Sequence, residues 1–108
     1  MSAAFDQQFG QFEFGLASQF QAFDKERLRL GDLLERLITI VKDLVAQLDL
    51  SKLSDEQKQA ILKAIEGGYN TYIRPLDIPY IPNVVEPWVD EIVFNALMQA
   101  SKKLLGVE

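Results

Sequence analysis

FDQQFGQFEFGLASQFQAF, residues 5–23, holds six of the chain's seven phenylalanines. They are Phe5, Phe9, Phe12, Phe14, Phe20 and Phe23, and glutamine fills much of the space between them. Chain ends usually fray. Six large rings there need something to cover them.

Apolar residues recur from Phe5 at Phe9, Phe12, Leu16, Phe20, Phe23, Leu30, Leu34, Leu37, Val41, Leu44 and Leu48. The steps are 4, 3, 4, 4, 3, 7, 4, 3, 4, 3 and 4, and Arg27 stands inside the step of seven. This is a heptad seam with one extra four-residue step at Leu16, a stutter that locally unwinds a supercoil. A strand would alternate by two, and only Phe12, Phe14 and Leu16 do so. The spacing predicts a helix from about residue 3 to residue 48. Gly10, Gly15 and Gly31 each weaken it by roughly 1 kcal/mol relative to alanine.

Such a helix would run about 65–70 Å, whereas a compact domain of this length has a radius of gyration of roughly 13 Å. Part of it must therefore pack on another chain, or break near Gly10–Gly15 and fold back. The flanks favour the first. Leu33, Ile38, Ile40 and Val45 widen the later stripe, as a bundle interior requires. Asp24 and Glu26 leave the earlier stripe narrow. The expectation is a Phe/Gln-rich helical arm over residues 1–27, continuous with a helical bundle over residues 28–108.

Ser54 and Gln57 have capping-box spacing and open a second helix. Ile61, Leu62 and Ile65 give it an apolar face, and Gly67-Gly68 offers a stop. Pro75, Pro79, Pro82 and Pro87 then forbid regular helix. Tyr69, Tyr72, Ile73, Leu76, Ile78, Tyr80 and Ile81 are too apolar for a loose linker, so this span reads as an extended strap across the bundle. Asn83 or Glu86 opens the last helix, with Pro87 in its first turn, and Gly106 follows its end near Leu105. In that helix Val89, Ile92, Val93, Ala96, Leu97, Ala100 and Leu104 form the expected core stripe. Phe94, Met98 and Leu105 form a second, narrower stripe that reads as a contact surface. The fold class is all-α: a three-helix bundle with a long N-terminal coiled-coil-like helix and a proline-rich strap.

Composition narrows the function. The chain has 108 residues, 48% hydrophobic and 25% charged, with a net charge of −5. Residues 1–50 carry eight acids and five bases, and residues 51–108 carry eight and six. No basic patch exists to displace counterions from nucleic acid or to meet an anionic membrane surface. No stretch approaches the roughly 18 apolar residues that read as a membrane span. The N-terminus does not read as a secretory signal, which places the expected location in the cytoplasm.

Cysteine and histidine are both absent. That removes the thiol nucleophile, the commonest general base and the commonest metal ligand. No phosphate loop, zinc spacing or serine elbow appears. The sequence points away from an enzyme, a cofactor, a metal or a small-molecule ligand. Glu86, Asp90 and Glu91 are the best carboxylate cluster for a cation, but acids are ordinary in a helix's first turn. Lys25, Arg29, Asp32, Arg36 and Asp43 suit either an anion clamp or an exposed ion-pair face, and their mixed signs favour the latter. PYIP, residues 79–82, matches a PxxP pattern, but such short matches are weak and a strap packed on its own bundle is the favoured reading. Arg27 either sets the register of the seam or lies along it and reaches water.

The functional expectation is a non-catalytic homo-oligomer, or a structural subunit of a larger assembly. Its interface would be Phe5, Phe9, Phe12, Leu16, Phe20, Phe23 and Arg27. The alternative is an adaptor that binds a different protein through the arm or through Phe94, Met98 and Leu105. A third reading is an acidic helical enzyme or cation-binding protein.

Overall fold

A computed structural model describes residues 3–22, 30–75 and 85–107. Among them are four α-helices and no strand. Helix α1 spans Ala3–Gln21, α2 Leu30–Val45, α3 Asp55–Gly68 and α4 Glu86–Leu105. The fold is all-α.

The first two helices pack side by side and antiparallel. A Cβ added at Gly15 would lie 2.8 Å from Leu44 Cδ2. Gln8, Gln11 and Phe12 line a small cleft with Leu44, Gln47 and Leu48. Along one continuous helix, residues 15 and 44 would be about 43 Å apart, so α1 and α2 are two separate helices packed on each other. An unbroken helix over residues 3–48 would measure roughly 69 Å; the molecule's longest dimension is 46 Å. The expected arm is therefore α1 folded back on its own chain. The break comes after Gln21, and Gly10 and Gly15 stay helical.

Helix α1 packs on α2, α3 and the turn after α3, while α4 packs on α2 and α3. The four helices thus close a ring in the order α1, α2, α4, α3. In place of three helices and a projecting arm, four helices share one interior. Phe5, Phe12, Leu16 and Phe20 are buried on the predicted seam of α1. In α2 the buried line is Leu33, Leu37, Val41 and Val45. Leu37 and Val41 belong to the predicted seam and Leu33 and Val45 to its apolar flank, because the neighbours on two sides, α1 and α4, draw in a wide stripe.

Helix α3 opens as its sequence suggests. Gln57 N donates to Ser54 Oγ at 3.2 Å, and Ser54 N donates to Gln57 Oε1 at 2.9 Å. Two otherwise unsatisfied donors are answered reciprocally. The Gly67-Gly68 stop is not observed. Both glycines are helical, and the chain continues through a wider π-turn, Tyr69–Ile73, closed by Arg74 N donating to Tyr69 O at 2.9 Å. Gly68 serves close approach: an added Cβ would lie 3.0 Å from Leu16 Cδ2 and 3.3 Å from the Phe20 ring. The strap expected over residues 69–87 therefore begins as helix. Its middle, residues 76–84, lies outside the described residues, and PYIP with it.

Helix α4 has Pro87 in its first turn, and Gly106 caps it in the left-handed region at φ 72°. Val107 N donates to Lys102 O at 2.9 Å, closing the last turn. Val93, Leu97 and Leu105 are buried together with Asp90 and Ser101. Ser101 Oγ donates back to Leu97 O at 2.8 Å, which satisfies a hydroxyl in the core. Among the described residues no helix is long and apolar enough to cross a membrane.

Candidate protein-interaction surfaces

Most residues expected at an interface lie inside the chain. Phe5, Phe12, Leu16, Phe20 and Leu105 are buried. Phe9 is partly buried and stacks on Phe5, with ring centroids 5.6 Å apart. Phe94 and Met98 are partly buried against the core. Phe23 and Arg27 lie outside the described residues, as do Lys25 and Arg29. Asp32, Arg36 and Asp43 are exposed on α2, in keeping with a solvated face.

The last helix is turned relative to expectation. Ile92, assigned to the core stripe, is 67% exposed, while Phe94 and Met98 face inward. The cause is two polar residues in core positions. Asp90 and Ser101 occupy the buried face, and neither counts in an apolar pattern. A tyrosine hydroxyl and a backbone carbonyl satisfy them.

Tyr69 is that tyrosine. It is fully buried, and its hydroxyl donates to Asp90 O at 3.1 Å and Asp90 Oδ1 at 3.3 Å. Burial pushes its pKa well above the usual phenol value, and the adjacent Asp90 adds to the rise. Arg74 covers the same spot from outside. Its guanidinium carbon sits 5.4 Å from the Tyr69 ring centroid and 5.5 Å from that of Phe94, a cation–π arrangement. Its Nε donates to Asn70 Oδ1 at 2.9 Å, and its Nη1 lies 3.5 Å from Glu91 Oε2. Asp90 and Glu91 thus join α4 to the π-turn. The Glu86 side chain lies outside what is described. Among the described residues no group of three or more acids, histidines or cysteines could hold a metal.

Two exposed apolar features went unread in the sequence. The first is a ridge at the start of α4. Trp88 is 77% exposed, Ile92 67% and Val85 38%. Steps of three and four place them on one side of the helix. A lone tryptophan so spaced from Val85 and Ile92 is the signal that marks it. The second is Phe14, 75% exposed on the outer side of α1. It stands near a groove of ≈350 Å³ between α1 and α3. Leu16, Ala17, Ala64, Gly67 and Gly68 give the groove small or apolar lining, Glu13 and Lys63 stand on opposite walls, and Thr71 and Tyr72 close one end.

No protein-family model, curated protein or solved structure matches the chain. The functional reading rests on these surfaces.

Proposed function

We propose that this chain is a non-catalytic structural subunit that works by associating with other protein chains. The observation that carries the reading is the Val85–Trp88–Ile92 ridge. A tryptophan side chain presents on the order of 200 Å², and most of Trp88 is in water. Tryptophan is among the residues enriched at the energetic centres of protein interfaces. The Phe-rich face of α1, the other source of apolar surface, is spent on the chain's own interior, so contact through a continuous phenylalanine seam finds no support. The ridge suits a different protein that offers an apolar groove, the arrangement of a helix anchored at i, i+3 and i+7.

Trp88 is the chain's single tryptophan, so intrinsic fluorescence reports on the ridge alone. The isolated protein should emit as a water-exposed indole and be readily quenched by acrylamide. In the native complex, recovered by a mild tag, the emission should shift to the blue and resist quenching. Trp88→Ser and Ile92→Ser should abolish recovery of a stoichiometric partner without lowering the melting temperature. A shielded indole in the isolated monomer would sink the reading.

A further inference from the structure

We propose that Phe14 and the groove beside it form a self-complementary surface that pairs two copies of this chain about a two-fold axis. The inference concerns a different face from the α4 ridge and does not depend on it.

The argument begins with positions on α1. At 100° per residue, Phe14 lies about 60° around the helix from Ala17, a groove-lining residue. The exposed ring therefore stands on the outer lip of the groove and does not fill it. Of its neighbours one turn away, Gly10, Ala17 and Ser18 are small. Gly10 lies four residues before it, and a Cβ built there would meet nothing within 4 Å. Knob and hole thus sit within one turn of the same helix edge. Two α1 helices laid antiparallel across a two-fold put each Phe14 over the other's groove, satisfying both at once. Room is sufficient: an apolar cavity of about 150 Å³ holds a benzene-sized ring, and the groove measures ≈350 Å³.

Charge agrees with this occupant. Glu13 precedes Phe14 in the chain, and Lys63 lines the opposite wall of the groove. Both are exposed, and no ion pair joins them within the chain. When Phe14 of one copy enters the groove of the other, Glu13 travels with it toward Lys63 of that second copy. The two-fold makes this exchange twice. The contact is small, roughly 200 Å² of ring on each side, below the size of stable complexes. The dimer is therefore weak and depends on concentration.

The test is sedimentation equilibrium of the full chain over a concentration series at low salt. The wild type should show a monomer–dimer equilibrium. Phe14→Ala should weaken it about tenfold or more with an unchanged melting temperature. Glu13→Lys and Lys63→Glu should each weaken it, and the two together should restore it, because the exchanged charges again meet their opposites. A wild type that stays monomeric at every concentration would overturn the proposal. So would a dimer indifferent to Phe14→Ala, or a double charge variant no better than the single ones. If Trp88→Ser dissolves the dimer and Phe14→Ala does not, the α4 ridge is the self-association surface and the groove has no part in it.

Discussion

Replacing Phe20 by alanine separates a helix folded inward from a helix held by another chain. Phe20 is 0% exposed, and its ring packs on Gly68, where a Cβ would come within 3.3 Å. Truncating a buried phenylalanine costs about 3–5 kcal/mol, through lost transfer energy and the cavity left behind. The upper part of that range is expected here, since Gly68 has no side chain to relax into the space. Small domains have a total stability of about 5–15 kcal/mol, so the loss is a large share. With about 2.1 cal/mol/K of unfolding entropy per residue and 108 residues, a loss of about 4–5 kcal/mol should lower the midpoint by about 18–22 °C. The assay is urea unfolding followed by circular dichroism at two protein concentrations, with thermal unfolding beside it. Phe14→Ala is the matched control. Its ring is 75% exposed, so its removal should shift stability by less than about 0.5 kcal/mol. The reasoning fails if Phe20→Ala leaves stability within that same margin. It fails more informatively if the only change is a loss of oligomer, which would return the ring to a seam between chains.

Two further outcomes follow from the junction of α1, α3 and the π-turn. Gly67→Ala meets nothing within 4 Å and should stabilise the helix by about 0.5–1 kcal/mol; Gly68→Ala has the same propensity gain but meets buried Leu16 and Phe20, and equilibrium unfolding should place it at least about 1 kcal/mol below its neighbour. Equal effects at the two glycines would refute the close approach. Tyr69→Phe removes the hydroxyl that donates to Asp90 and should cost about 1–3 kcal/mol. Because the folded-state pKa of Tyr69 is raised, its contribution is whole below the ordinary phenol pKa of about 10. The contribution is lost as pH climbs from there toward the folded value, since the unfolded chain gives up the proton first. Stability measured across alkaline pH should therefore fall more steeply in the wild type than in Tyr69→Phe. Parallel curves would remove Tyr69 as the cause.

Several features were plain in the sequence because they are local. The Ser54–Gln57 box, Pro87 in a first turn and Gly106 after a last one are each decided within a few residues. The buried line of α1 was legible too, since periodicity names the face of a helix. What covers that face is a matter of tertiary structure, and there the reading diverged. Between Gln21 and Leu30 the sequence has no proline or glycine, so the seam reads as unbroken there. Gly67 and Gly68 resemble a stop, yet Gly68 is there because α1 comes too near for a side chain. Ile92 was drawn inward because Asp90 and Ser101 could not be recognised as core residues without the groups that satisfy them. The same misplacement concealed the ridge around Trp88.

The ring order of the helices also sets a timetable. The face of α1 that carries Leu16 and Phe20 rests on Gly68, some fifty residues further along the chain. A ribosome adds about 5–20 residues per second, so that face waits several seconds for the segment that completes its cover. Most helical stability comes from packing of an apolar face, and α1 carries two internal glycines, Gly10 and Gly15, that weaken it further on its own. Helix α1 is thus made well before the segment that covers this face. During the delay its closely spaced phenylalanines are exposed apolar surface of the kind that chaperones cover.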